Sequence, residues 1–440
     1  MPPPPVPNPV DTRDLPPDAV AKLLAVSRRL AETANLEQVL STVIDALRDL
    51  LAAERATVFE YDGNTDELFT QVAHGLGDRD GTIRIPSTRG IAGAAATSRQ
   101  IINIPDAYAD DRFNREVDIR TGFRTRSILA IPLVDHDGGL VGVAQVLNRE
   151  GGPFRAVDEQ LAAGLAAHAA VALRRGRLIE DRVARERMER DLMAARSIQQ
   201  SSFPRDLPAP PGWQIAAAGE PAEQCGGDAF DVVPLRRGEI VEPDAECDEM
   251  VLLVADATGH GIGSALSAMQ ARAMLRLGLR LRQPMDRIVS ECNRQLCQDL
   301  PMGRFVTAWF ARVHLHSGLV ESVAAGQGPV LHYRRATDDF VTLPTDLPPM
   351  GVVPDDLPAE RTELILQPGD VLAALTDGYF ESQDPGGEQW MQQRCETLIR
   401  RNRDLSPAAM LAACNAAMNE WCRGAPAADD RTAIILKRVG

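Results

Sequence analysis

Four acidic turns in the second half of the chain hold the residues best suited to chemistry. They are Asp228 in "CGGDAFD" (225–231), Asp256 in "VADATGHG", Asp377 in "ALTDGYFES" and the pair Asp429 and Asp430 in "ADDRT". Each follows or flanks a run that reads as a strand. One aspartate at a strand end is ordinarily a turn or cap residue. Four such turns in one region, each joined to a glycine or to a second aspartate, suggest a shared site. Oxygen donors of this kind suit Mg²⁺ or Mn²⁺ better than zinc. A pair of such ions lowers the pKa of a bridging water and clamps a phosphoryl group for in-line attack. The residue types therefore point to metal-assisted hydrolysis of a phosphate ester.

Two rival chemistries fail on context. A nucleotide cyclase of the "GGDEF" kind carries its motif on a hairpin deep inside its domain. Here "GGD" stands close to the start of a domain, and three later aspartate turns would go unexplained. A cysteine phosphatase needs Cys-x₅-Arg, a spacing that Cys395 and Arg401 meet. But "CETLIRR" reads as a glycine-free helix, which cannot fold its amides around a phosphate.

The elements that must position these turns are legible from periodicity. From Gly212 onward, strand-like runs such as "MVLLVADATG", "FVTAWFARVHL", "LVESVAAGQGPVLHYR", "VLAALTDG" and "TAIILKRV" accompany two helical stretches, "IGSALSAMQARAMLRLGLRLR" and "PMDRIVSECNRQLCQDL". Without a regular βαβ alternation they predict α+β sheet layers with helices packed outside. Upstream, apolar spacing at Leu36, Leu40, Val43, Ile44 and Leu47 predicts an amphipathic helix. Two β-rich runs around Asp137-Gly138-Gly139 predict a hairpin, and a helix from about Ala156 to Leu173 closes a small α+β domain. The charged stretch that follows has apolar residues at Ile179, Val183, Met188, Leu192, Ala195 and Ile198. It reads as a connector helix or, preferably, a short parallel coiled coil between two protomers. The expected organisation is a proline-rich disordered tail (1–17), a sensor-like domain (18–175), a helical linker (176–203) and a second domain (204–440).

The totals narrow the class further. A chain of 440 residues, 44% hydrophobic and 25% charged, has room for two or three cores. A net charge of −15 disfavours nucleic acid and anionic membranes as partners. No apolar run is long enough for a transmembrane helix, and the N-terminus lacks the pattern of a signal peptide. The seven cysteines all lie at or beyond Cys225 without a Cys-x-x-Cys pair, which suits reduced thiols in the cytoplasm.

In their order, the motifs of residues 212–440 resemble the metal-dependent PPM serine/threonine protein phosphatases, in particular the bacterial SpoIIE/RsbU type. The resemblance runs from "IQQSSFPRDLP" through "CGGDAFDVVPL", "LLVADATGHGIGSALSAM", "FVTAWFARV", "VAAGQGPVLHY" and "LQPGDVLAALTDGYFES" to "DDRTAIIL". It implies a β-sandwich flanked by helices and two Mn²⁺ or Mg²⁺ ions. By position, Asp228 and Asp256 would hold the metal pair, Asp377 and Asp429 would complete it, and the carbonyl of Ala257 would be a backbone ligand. Asp231, Asp430, Gly259 and His260 would stand around the site as supporting or optional residues. Gln327 departs from the frequent "AGH", but no expected carboxylate is missing.

Residues of about 20–175 resemble a GAF sensor domain, closest to those of cyclic-nucleotide phosphodiesterases and cyclases. The likeness rests on "IINIPDAYADDRFNREVDIRTGFRTRSILAIPL" and on Asn148, Arg149, Phe154, Asp158 and Glu159 in "GVAQVLNREGGPFRAVDE". In that family the second signature mostly supports the fold by internal pairing. A cyclic nucleotide is the leading ligand, with Ile104, Asp106, Phe113, Thr121 and Thr125 as pocket candidates. The combined expectation is a cytoplasmic homodimeric phosphatase that acts on a phosphorylated small regulatory protein of the anti-sigma-factor-antagonist type. The alternative is a cyclic-nucleotide-responsive dimer whose second domain docks partners without catalysis.

Overall fold

The computed structural model describes residues 17–33, 35–70, 83–222, 225–354, 361–425, 427 and 429–440. The chain divides into two compact units, one up to Arg187 and one from Met188.

The first unit begins with α1 (Pro17–Glu32) and α2 (Leu36–Leu50). Asn35 caps α2 by accepting from the Gln38 amide at 3.0 Å, which satisfies a backbone donor that the helix itself cannot. Its buried stripe includes the five positions predicted from spacing. Strands β1 (Ala53–Asp62), β2 (Glu67–Thr70), β3 (Ile83–Pro86), β4 (Ile102–Ile104), β5 (Ile128–Val134) and β6 (Leu140–Arg149) form an antiparallel sheet in the order β3-β2-β1-β6-β5-β4. The chain inserts α3 (Gly90–Ser98) and α4 (Arg115–Thr121) between β3 and β5. The predicted hairpin is β5–β6, and the Asp135 carboxylate pins its turn by accepting the amides of Asp137 and Gly139. One sheet face packs on α2 and on α5 (Ala156–Ser202), the other on α3. The expected closing helix and charged connector are thus one helix of 47 residues. From Leu178 to Asp191 every residue of it is exposed.

The Asn148 signature pairs internally. The Asn148 amide donates to Glu54 at 2.8 Å and to the Arg124 carbonyl at 2.9 Å, while its oxygen accepts the Arg126 amide. Arg149 meets Asp158 at 2.9 Å, and Asn103 joins the Phe154 carbonyl to Glu159.

The second unit contains β7 (Trp213–Glu220), β8 (Asp228–Arg236), β9 (Glu239–Ile240), β10 (Glu249–Ala257), α6 (Ile262–Arg280), α7 (Met285–Asp299), β11 (Val306–His314), β12 (Leu319–Ala325), β13 (Val330–Arg334), β14 (Asp339–Leu343), β15 (Thr362–Ile365), β16 (Val371–Leu375), α8 (Gln392–Arg401), α9 (Pro407–Cys422) and β17 (Arg431–Arg438). Two sheets form, ordered β15-β12-β11-β10-β8-β9 and β14-β13-β16-β17-β7. β10 is apolar on both faces because both are covered. Val251, Leu253 and Ala255 pack with α6 and α7, and Met250, Leu252 and Val254 pack with residues of the second sheet. The second sheet has its own helical cover in α8 and α9. The sequence reading missed α9: its alanine-rich run has little amphipathic contrast, although Ser406 caps it and Pro407 occupies its first turn.

Strand period separates Asp231 from the expected site. On β8, Phe230 and Val232 face the second sheet, whereas Ala229 and Val233 face α6. Asp228 shares the first face and Asp231, three positions on, the second. Asp231 is therefore no companion of Asp228. It is fully buried and holds Arg276 at 2.6 and 2.8 Å and Arg272 at 3.0 Å, tying α6 to the sheet. Asp231→Ala leaves two largely buried guanidinium groups unpaired and is expected to cost about 3 kcal/mol. The urea midpoint of the second unit in the full chain reads this out, and a loss below about 0.5 kcal/mol, the size of an ordinary surface change, would contradict it.

Candidate functional site

Register brings the first two carboxylates together. β8 and β10 pair antiparallel with Asp228 directly opposite Asp256, and Thr307 of β11 stands opposite Asp256 on its other side. In the second sheet β16 and β17 are neighbours with Leu375 opposite Ala433, so Asp377, just past one strand end, lies close to Asp429 and Asp430, just before the other. Thr376 links the sheets. Its fully buried hydroxyl donates to Asp228 Oδ2 at 2.9 Å and accepts the Thr432 amide at 2.8 Å.

Two glycines permit this closeness. A Cβ on Gly227 would lie 2.5 Å from the Ala257 carbonyl oxygen, and one on Gly378 would lie 1.9 Å from the Asp430 carbonyl oxygen. Asp430 works on the backbone: its carboxylate accepts the amides of Gly227 and, at 2.7 Å, of Ala222. From α5, the buried Gln199 donates to the carbonyl of Gly226 at 2.8 Å and to that of Asp228 at 3.3 Å. Next to it, the Cys225 thiol contacts the Leu192 carbonyl. The end of α5 therefore grips the strand entrance that carries Asp228.

Burial and like charge oppose ionisation here. Burial first and Asp256 second hold Asp228 well above the usual carboxylate range. Asp256 is pushed up to about 7 by burial and then by Asp377, Asp429 and Asp430. Asp377 rises to about 6 through burial, then Asp429 and Glu381. Carboxylates so placed are a donor set that a hard divalent cation stabilises, and the all-oxygen chemistry fits Mg²⁺ or Mn²⁺. Among the described residues, no three acidic, His or Cys side chains close on one point as a finished cage.

Of the residues expected from sequence, Asp228, Asp256, Asp377, Asp429 and Asp430 are thus brought together. The Ala257 carbonyl is turned toward Gly227. Gly259 takes φ of +86° in the turn before α6, beside an exposed His260. Sequence reasoning missed Gln199, Thr376 and Thr432. The motif "LTDG" does carry a signal for Thr376, a hydroxyl set between the end of β16 and Asp377.

The first unit has a cavity of about 520 Å³ lined by residues that include Arg55, Phe59, Arg89, Phe113, Thr125 and Gln145. The Arg55 guanidinium stacks on Phe123, 3.8 Å from the ring centre. Phe113 and Thr125 are among the residues lining this cavity, and Thr125 is bonded to Asp118 at 2.7 Å. Ile104 does not line the cavity but packs in the core, and Asp106 instead caps a turn by accepting the Tyr108 amide. Short polar residues of this kind favour caps. The side chain of Thr121 lies outside the described residues.

Residues 247–439 match the family "Stage II sporulation protein E (SpoIIE)" and residues 35–173 match the GAF domain family. The chain thus carries a region that matches the GAF domain family followed by one that matches the SpoIIE family. Among solved structures it is similar to the SiaA-PP2C domain of Pseudomonas aeruginosa, at 19% identity and a TM-score of 0.48 over 58% of this chain and 99% of that one. It is also similar to the RsbU and RsbW domains of Rv1364c from Mycobacterium tuberculosis, at 23% identity and a TM-score of 0.44 over 53% of this chain and 62% of that one. A curated relative is the dual 3′,5′-cyclic-AMP and -GMP phosphodiesterase 11 of Drosophila melanogaster, 41% identical over 99 residues. That match lies in the GAF domain and takes in 22% of this chain but only 7% of the relative's length.

The raised carboxylates fix a pH dependence. Native Asp256 and Asp377 keep their protons to about pH 7 and about pH 6, whereas unfolded aspartate releases its own near pH ~4. Between these limits the native state binds more protons, so protein in chelator loses stability as pH rises from about 4 to about 7. Subtracting urea-unfolding curves of Asp256→Asn/Asp377→Asn isolates this contribution. It is expected to fall with pH in chelator and to be offset by excess Mn²⁺; a contribution that rises through the window would contradict it.

Proposed function

We propose that the chain is a metal-dependent phosphoserine and phosphothreonine phosphatase whose activity is set by its GAF domain. The observation that carries this reading is the pairing of Asp228 with Asp256 on one sheet, faced by Asp377 and Asp429 from the neighbouring strand ends of the other. Asp228, Asp256, Asp377 and Asp429, with the Ala257 carbonyl, would hold two Mn²⁺ or Mg²⁺ ions. Such ions supply Lewis acidity toward a phosphoryl group and acidify water. Thr376 fixes the Asp228 carboxylate, and Asp430 and Gln199 fix the backbone that bears it. Among the described residues, all seven cysteines are free, and the buried Cys225, Cys292, Cys395 and Cys414 thiols are pushed up in pKa. They are poor nucleophiles, which favours direct attack by water over a covalent intermediate.

The family match to SpoIIE supports a small regulatory phosphoprotein, of the anti-sigma-factor-antagonist type in a partner-switching pathway, as substrate. Likeness to a cyclic-nucleotide phosphodiesterase in the GAF region, together with a cavity lined by arginine and aromatic residues, supports a cyclic nucleotide as effector. The exposed apolar residues Leu178, Ile179, Val183 and Met188 on α5 support a homodimer formed through that helix. Among the described residues no helix is long and apolar enough to cross a membrane, and with the free thiols this supports a cytoplasmic setting.

One assay tests the reading: hydrolysis of p-nitrophenyl phosphate by the full chain with Mn²⁺ or with chelator, and with cyclic AMP or cyclic GMP added. The expected outcome is Mn²⁺-dependent turnover, lost by at least about a hundredfold in Asp377→Ala, as is typical when a charge-stabilising catalytic group is removed, with a rate change from one nucleotide. Equal rates with metal and chelator, or an unaffected Asp377→Ala, would leave a partner-docking protein as the better account. A rate indifferent to both nucleotides would remove the effector.

A further inference from the structure

The proposed reaction needs a group to receive a phosphoryl dianion at the mouth of an acidic site, and the arginines nearby are mostly engaged. Arg272 and Arg276 are taken by Asp231, and Arg431 is bonded to Asn419 and paired with Glu220. Arg304 differs. It is exposed, and its guanidinium has no hydrogen-bond or ion-pair partner among the described residues. Its position is nevertheless fixed. The next residue, Phe305, exchanges bonds with Thr258, its carbonyl accepting the Thr258 amide at 3.0 Å and its amide donating to the Thr258 hydroxyl at 3.1 Å. Two residues further, Thr307 stands opposite Asp256. On the other side, Arg304 Nη1 lies 2.6 Å from where a Cβ on Gly263 would stand. The guanidinium thus rests on the first turn of α6, over a gap that the missing side chain leaves open.

The surface beside it is apolar. Gln270 of α6 bonds to Asp299 at the end of α7, and Gly263 abuts Arg304. These two contacts make the connection from α7 to β11 run antiparallel along one face of α6. Between them lie Leu266, on the same face of the helix, and Met302, midway along the connection. Leu266 is 65% exposed and Met302 fully so. Two exposed large apolar side chains thus share a stretch of surface with the unpaired arginine, whose neighbour Phe305 bonds to Thr258, two residues from Asp256.

We propose that Arg304, Leu266 and Met302 form the docking face for the polypeptide segment that carries the phosphorylated serine or threonine. The guanidinium takes two phosphoryl oxygens as a fork, and the apolar pair takes a hydrophobic residue next to the phosphorylated one. This rests on reading the site as a phosphatase. A planar fork suits a phosphoryl group better than an ammonium does, so Arg304→Lys keeps the charge but loses the bidentate fit.

The test is binding and turnover of a fluorescein-labelled phosphoserine peptide with a leucine beside the phosphorylated residue, using the full chain with Mn²⁺. Anisotropy gives Kd, and phosphate release gives KM and kcat. Arg304→Ala is expected to raise Kd and KM roughly tenfold, as loss of a charge-assisted contact implies, with kcat changed less than KM. Arg304→Lys should recover part of the loss. Leu266→Ser/Met302→Ser should raise KM for the peptide by more than it raises KM for p-nitrophenyl phosphate. Peptide affinity unchanged in Arg304→Ala, or equal effects of the double variant on the two substrates, would overturn the proposal. A wild-type chain that binds the peptide tightly but hydrolyses neither substrate would sink the phosphatase reading alone, because the affinity of Arg304→Ala still decides the docking face.

Discussion

The antiparallel register of β8 on β10 is the constraint on which the rest of the second unit depends. It sets Asp228 and Asp256 side by side on the face turned to the second sheet, where burial and like charge both resist ionisation. A slip of one residue would turn one of the two toward α6, where Asp231 already holds two arginines. The pairing has a stability cost that the surrounding structure must offset, which is characteristic of sites shaped for a ligand rather than for the fold.

Several otherwise separate features follow from that cost. β10 and β11 are apolar on both faces because helices cover one and the second sheet the other, which makes a rigid frame for charged strand ends. The frame is closed at its edge by polar side chains, two of which bond to backbone and one to the Asp228 carboxylate. Asp430 holds the Gly227 amide, Thr376 bridges β16 to Asp228, and Gln199 holds the carbonyls of Gly226 and Asp228. Because Gln199 belongs to α5, any rotation or shift of that helix end acts on the peptide units next to Asp228. A dimeric helix whose packing responds to a bound effector would in this way have a short physical route to the carboxylates, provided that the effector binds the two helix states unequally.

Much of this was legible in the sequence, for identifiable reasons. The carboxylates could be found because each sits where a strand ends in a turn, and turn residues mark themselves. The β5–β6 hairpin and α2 were legible because their periods are clean. Asp231 is close to Asp228 in sequence but not in space, a separation that the strand period alone sets. Asp106 misled because a capping aspartate and a ligand-binding one look alike in a string of letters. Gln199 could not have been assigned its role, since a polar residue in a charged helix shows nothing of the strand entrance it will meet. α9 was hidden by alanine, which favours helix without marking a face.

The central claim is that the paired strand ends form one two-ion site, and counting bound ions tests it most directly. Titration of the metal-free full chain with Mn²⁺ at neutral pH, followed by the loss of the free-ion electron paramagnetic resonance signal, gives the number bound. The account expects two ions per chain, with Asp256→Asn binding fewer and Asp231→Asn binding both. Wild-type protein that leaves all the Mn²⁺ free, or Asp256→Asn protein that binds as many ions as wild type, would contradict it.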